Sequence, residues 1–217
     1  MAGYIELARR MDEAWGQILG ALEASGLAEN TLVVCTTDHG IGFAGMKGTL
    51  TDKGLGVMLI VRGPGGFSGG RVIEAMVQQM DIFPTLCEML RIDPPDWLEG
   101  TSLLPLVRGE AERIHEAIFG EASYHSTYRP MRSVRTAGHK YIRRFEPEDR
   151  RGPEEELFDL AADPHEACNL AGRPELASML DEMRRRLDAW MRQTDDPLRT
   201  GRVPCPADAI LNQADEA

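Results

Sequence analysis

A chain of 217 residues with 42% hydrophobic and 27% charged side chains can bury a core and is long enough for one large domain, or a main domain with a small appendage. Its formal net charge of -11 gives no basis for nonspecific binding to nucleic acid or to an anionic membrane, so an anionic ligand has to be held by local cations or a metal ion. No apolar run approaches the roughly 18 residues of a spanning helix, and the Met1-Ala2-Gly3 start lacks a basic region followed by an apolar one; no compartment is specified.

In chain order, Tyr4, Ala8, Met11, Trp15, Ile18, Leu19 and Leu22 recur at three- and four-residue steps, which predicts a helix stopped at Gly26. Thr31 to Thr37 is a β-branched run apolar on both faces, which suits a central parallel strand flanked by helices, with Asp38 just past its end. Open parallel sheets bind ligands at that edge. The glycine-rich stretch Gly40 to Gly56 predicts a loop able to bring backbone close to a ligand. Val57-Met58-Leu59-Ile60-Val61 predicts a second buried strand. Met80-Asp81-Ile82-Phe83-Pro84-Thr85 opens a helix with Asp81 as N-cap and Leu86, Met89 and Leu90 on its inner face, ended by Pro94-Pro95.

Residues 93–115 are loop-rich, and beyond them the pattern changes. Ala117–Glu121, Arg132–Arg135, Lys140–Phe145 and Leu157–Leu160 alternate as strands of an antiparallel sheet with one wet face. Pro174 to Trp190 is a strongly amphipathic helix, and its Arg184-Arg185-Arg186 run, beside acidic neighbours, reads as a solvated face. The stretch from Arg199 to Ala217 is expected to be irregular. Cys35, Cys87, Cys168 and Cys205 have no Cys-x-x-Cys or zinc spacing and read as buried or incidental thiols.

Chemistry concentrates after the first strand. Asp38 offers a hard oxygen and His39 an imidazole, and neighbours at a strand end can both reach one ion; taken alone, the dipeptide is better read as a turn cap beside a surface histidine. Lys47, in a glycine-flanked loop, adds the cation that an ester with several anionic oxygens requires, although an exposed loop lysine is common.

Val33-Val34-Cys35-Thr36-Thr37-Asp38-His39-Gly40, Lys47-Gly48-Thr49-Leu50, Leu59 to Pro64 and Met80 to Leu86 together resemble the C-terminal half of the sulfatase family, within the alkaline phosphatase superfamily. Gly120 to His125, Tyr128 to Val134, Glu156 to Leu160, Asp163-Pro164-His165-Glu166 and Asn169-Leu170 resemble its heparan N-sulfatase (sulfamidase) branch. The resemblance implies an α/β fold: the C-terminal part of a parallel sheet flanked by helices over residues 1–110, a small antiparallel sheet with a packed C-terminal helix over 111–198, and an irregular tail over 199–217. It also implies that Asp38 and His39 are metal ligands, usually for calcium, the histidine standing where many members have asparagine. By the same resemblance Lys47 holds the sulfate as a catalytic and substrate-binding group, and His125 and Arg132 fall in a segment that approaches the sugar; for these last two, a satisfied histidine and a structural ion pair are equally good readings. The substrate implied is a sulfated small molecule or sugar.

The family nucleophile is a formylglycine made within Cys/Ser-x-Pro/Ala-x-Arg, and no such motif occurs in the 217 residues: Cys87-Glu88-Met89-Leu90-Arg91 has methionine at the third position. The Asp-Asp pair that completes the metal site is also absent, and Leu50 to Met58 lacks the aromatic, arginine and proline common in the family loop. The sequence thus looks like a truncated or split sulfatase, inactive alone, associating with itself or with a complementary N-terminal chain. A phosphoryl-transfer hydrolase of the same superfamily and a non-catalytic relict or partner chain are the alternatives.

Overall fold

The computed structural model describes residues 2–125, 127–145 and 153–203. Its regular elements run α1 (Ala2–Ala24), β1 (Val33–Thr36), α2 (Asp52–Leu55), β2 (Leu59–Arg62), α3 (Ile82–Leu90), α4 (Leu104–Arg108), β3 (Ile118–His125), β4 (Thr127–Arg135), β5 (His139–Arg144), β6 (Glu155–Asp159) and α5 (Ala177–Gln193). They fall into two units, Met1–Thr36 with Leu59–Glu74 and Met80–Glu112, and Thr37–Met58 with Ala75–Gln79 and Arg113–Ala217. The expected α/β class holds, with its helices, its small antiparallel sheet and its packed C-terminal helix. The division is interleaved, however, because residues 37–58 group with the later sheet rather than with the first 110 residues.

In the first unit, α1 stops at Gly26, whose φ of 71° ends the helix at little cost for a residue without Cβ. Trp15, Leu19 and Leu22 are half-buried, whereas Tyr4, Met11 and Ile18, at equally regular steps, are exposed. β1 and β2 pair antiparallel, from Val33 opposite Arg62 to Thr36 opposite Leu59, which corrects the expected parallel arrangement for these two strands. A parallel return needs a crossover, usually a helix. The segment between them carries only the four-residue α2 and re-enters at the end of β1 that it left. Ile60 is 55% exposed between half-buried Leu59 and Val61, so β2 alternates instead of being buried on both faces. The core of this unit is Phe67, Leu104 and Val107, packed by Leu32, Val61 and Met89.

Asp81 stands at the N-cap position of α3, but its buried carboxylate does not cap the helix; it accepts from Thr101 N at 2.8 Å. Thr85 Oγ1 donates to Asp81 O at 2.6 Å and accepts from Leu103 N at 2.8 Å. A Cβ on Gly100 would lie 2.1 Å from Met80 O, so only glycine permits this approach.

In the second unit the strands lie in the order β3-β4-β5-β6, every pair antiparallel. Val134, Tyr141 and Leu157 face α5 and pack with Leu180, Met183, Leu187 and Met191, the inner residues of its amphipathic pattern. Phe119 and Trp190 stack across this layer with centroids 5.1 Å apart. On α5, Arg185 and Arg186 pair with Glu182 at 2.8 Å, and Arg184 reaches Asp181 at 2.9 Å and Glu155 of β6; Arg185 and Arg186 lie on the expected exposed face.

The opposite face of the sheet carries Met131, Ile142, Phe158 and Leu160, and the side chain that fills it is Leu50, 2% exposed. Leu50 lies three residues after Lys47, so the core of the sheet fastens the lysine-bearing loop. Leu50→Ala is expected to cost about 2–3 kcal/mol in urea unfolding, the low end for a buried leucine because a loop can partly close over the cavity; a cost under about 1 kcal/mol would show that the loop is not anchored there. Among the described residues no helix is long and apolar enough to cross a membrane.

Candidate active site

The loop from Thr37 to Met58 folds back on itself. Gly40 N donates to Gly54 O at 2.8 Å and Ile41 N to Lys53 O at 2.9 Å, drawing the segment after Asp38-His39 against the segment after Lys47. A Cβ on Gly40 would sit 2.1 Å from Lys53 O, and one on Gly54 would sit 2.4 Å from Thr49 O. These glycines are a condition of the loop's closure. Thr49 tightens it further, its Oγ1 donating to Met46 O at 2.7 Å and sharing a 2.8 Å bond with Thr51 Oγ1.

His39 Nδ1 lies 2.8 Å from Gly40 O. A carbonyl oxygen only accepts, so Nδ1 carries the proton, and in the neutral ring Nε2 presents a bare lone pair. That nitrogen is 3.6 Å from Asp38 Oδ2, and the Asp38 side chain is 87% exposed. A nitrogen lone pair and a carboxylate oxygen this close can ligate one metal ion together. The pair fits one edge of a metal site. It is not a complete one, because no group of three or more His, Cys, Asp or Glu side chains suited to a metal occurs among the described residues, and calcium takes roughly six to eight oxygens. Lys47 is exposed. Its ammonium makes no ion pair with a described side chain, which leaves its charge available to an anion.

The other two expected site residues fare differently. His125 closes β3, and its side chain lies outside the described residues. Arg132 is 2% exposed with every guanidinium nitrogen engaged inside the protein: Nε and Nη2 donate to Asp196, and Nη1 donates to Met131 O at 2.8 Å, Ser123 Oγ at 3.2 Å and Ala122 O at 3.3 Å. Of the two readings open for it, the structure favours the ion pair over contact with a sugar. Cys205 lies outside the described residues; Cys35, Cys87 and Cys168 are free thiols.

A network that the sequence did not single out stands behind the loop. Lys140, on the Leu50 side of β5, is 1% exposed and lies 2.5 Å from Asp52 Oδ1 and 3.1 Å from Glu166 Oε1. Arg135 donates to both Asp52 oxygens at 3.1 and 3.2 Å, and Glu166 Oε2 accepts from Asp52 N at 2.6 Å. Burial pushes the Asp52 carboxyl up, but Lys140 and Arg135 together pull it further down, leaving it below the usual carboxylate range. Asp52 opens α2, whose Lys53 and Gly54 carbonyls hold Ile41 and Gly40, so the cluster sets the position of both arms of the loop. Asp52, Arg135, Lys140 and Glu166 all lie in segments with a recognisable pattern, but no spacing in the sequence links them.

Comparison with known proteins adds the following. The family described as N-sulphoglucosamine sulphohydrolase, C-terminal, matches residues 45–193. A Delta 4,5-hexuronate-2-O-sulfatase of Bacteroides thetaiotaomicron is 31% identical over 215 residues, covering 94% of this chain and 43% of its own length. Human N-sulphoglucosamine sulphohydrolase is 30% identical over 256 residues, covering 94% of this chain and 49% of its own. A solved structure in complex with its substrate D-glucosamine-2-N,6-O-disulfate superposes with a TM-score of 0.76 at 25% identity, over 87% of this chain and 40% of that one. The chain therefore spans less than half the length of these relatives.

Proposed function

The chain belongs to the N-sulphoglucosamine sulphohydrolase family of sulfatases, by the match to its C-terminal part over residues 45–193, and from that premise we propose that it supplies the charge-stabilising side of a site that hydrolyses O- or N-sulfate on a sulfated sugar. The observation that carries this reading is the approach of His39 Nε2 to Asp38 Oδ2, 3.6 Å apart, in the same closed loop as Lys47, whose ammonium has no ion pair among the described residues. Asp38 and His39 hold one edge of a divalent cation, calcium by family resemblance, which when bound neutralises charge on the sulfate oxygens. Lys47 binds a further sulfate oxygen and stabilises the negative charge that develops as the sulfur–oxygen or sulfur–nitrogen bond breaks. The remaining ligands and the formylglycine nucleophile are supplied by sequence outside these 217 residues. Tyr4, Met11, Ile18 and Ile60, exposed apolar side chains of the first unit, suit burial against such a segment.

The purified chain is expected to bind calcium weakly and to leave sulfated hexosamines intact. Mixed with the N-terminal portion of a family member, it is expected to co-elute with it in size-exclusion chromatography and to gain sulfohydrolase activity that Asp38→Ala or Lys47→Ala lowers by about 10²–10³, the effect of removing one charge-stabilising group. Turnover by the chain alone, indifference of the restored activity to both substitutions, or a preference for phosphate monoesters would each overturn the reading.

A further inference from the structure

On the α5 side of the antiparallel sheet, across from the face that Leu50 and Lys140 occupy, a cavity of about 290 Å³ opens between β5, the end of α5 and the turn Pro197–Arg199. Its floor is apolar, made by Phe145, Met191 and Leu198, and three arginines stand around it, Arg143, Arg192 and Arg199. Among the described lining residues one carboxylate, Asp188, opposes them, 3.5 Å from Arg143 Nη1. In a protein of net charge -11 this is a local inversion of sign, and none of it follows from the needs of the core.

The three guanidiniums are not equivalent. Arg143 lies over the Phe145 ring, 4.8 Å from its centroid, which fixes the plane of its donors. Arg192 and Arg199 are exposed, and their guanidiniums make no hydrogen bond or ion pair within the described residues. The wall bearing Arg199 is built rather than draped: Asp196, buried and paired with Arg132, accepts from Leu198 N at 2.9 Å and so fastens the turn to β4. An apolar floor beside Arg192 and Arg199, unpaired among the described residues, suits a ligand with an anionic group on a compact body having an apolar face.

We propose that this cavity binds an anionic sugar unit, sulfated or carboxylated, as a second saccharide site on the opposite face of the sheet from the Asp38-His39-Lys47 loop. Arg192 and Arg199 take the anionic group in charge-assisted hydrogen bonds, and the Met191–Leu198 floor takes the ring. The choice of a sugar as the ligand rests on the proposed function, while none of the residues lining the site belongs to the loop.

The test is NMR titration of the full 217-residue chain at low salt with a monosulfated hexosamine, following the arginine side-chain Nε–H signals. Saturable shifts at Arg192 and Arg199 are expected. Arg192→Glu with Arg199→Glu, both at exposed positions, is expected to weaken binding at least about tenfold, the scale of losing charge-assisted hydrogen bonds. Lys47→Ala is expected to leave these shifts unchanged. The proposal is overturned by the absence of saturable shifts, by shifts that survive the double substitution, by their loss in Lys47→Ala, or by inorganic sulfate binding as tightly as the sulfated sugar.

Discussion

Lys140→Met is expected to destabilise the protein by about 3–5 kcal/mol, because it removes the cation from a buried cluster and leaves its carboxylates behind. Lys140 and the Glu166 side chain are each 1% exposed, so water cannot take the place of the ammonium. Asp52 keeps Arg135, but Glu166 keeps only the backbone N–H of Asp52. Urea unfolding at neutral pH measures the loss, and a cost below about 1 kcal/mol would mean that the ion pairs contribute nothing net. The pH dependence gives a second check. The Asp52 carboxyl is lowered in the folded protein, so its pairing contributes stability fully above the ordinary carboxylate range near pH 4 and loses it as pH falls through the folded value. Wild type therefore loses stability with acid, and the gap to Lys140→Met narrows below about pH 4. A gap that stays constant from pH 7 to pH 3 contradicts the assignment.

Asp196→Ala is expected to cost about 3 kcal/mol, the lower end for breaking a buried pair. It strands the Arg132 guanidinium at 2% exposure and removes the acceptor for Leu198 N. Glu121 Oε2, 3.6 Å from Arg132 Nε but 65% exposed, softens the loss without replacing it. Arg132→Met strands the other partner. The double change Arg132→Met with Asp196→Leu is expected to recover the part of the loss due to the stranded charge, since an apolar pair carries no desolvation penalty, while the acceptor for Leu198 N stays lost. Additive costs in that cycle would show that the two charges act separately and that Arg132 serves some other group.

Much of the fold could be read from side-chain periodicity. The α5 stripe from Leu180 to Leu187 follows from one local rule, and the structure has it, but the wet face expected of the antiparallel sheet is covered: Tyr141 and Leu157 are buried under α5, and Ile142 and Phe158 under Leu50. The direction of β1 against β2 was not legible, because apolar side chains on both faces report burial and carry no information on strand polarity. Ile60 shows the limit of that inference, as does Ile18 on a helix whose regular spacing only partly corresponds to a covered face. Asp38, His39 and Lys47 are candidates through motif resemblance alone, and the loop brings their segments together by the Gly40–Gly54 and Ile41–Lys53 bonds. Lys140 was invisible for a physical reason. A lysine in an alternating strand reads as pointing to water, and only two carboxylates distant in sequence reverse that. Arg132 carried the same ambiguity, decided by an aspartate 64 residues away.

The bond from Asp52 N to Glu166 joins positions 114 residues apart, and with Leu50 it is what seats the Lys47 loop on the sheet. Closing so long a loop is entropically disfavoured until the hairpins from β3 to β6 have already formed, since those ladders need only local closure. The loop is therefore expected to dock late in folding, after the transition state, onto a surface already formed. Substitutions at Asp52, Glu166 or Leu50 would accordingly hasten unfolding more than they slow folding, and the region of the chain that carries the candidate chemistry would be the part whose lifetime they shorten.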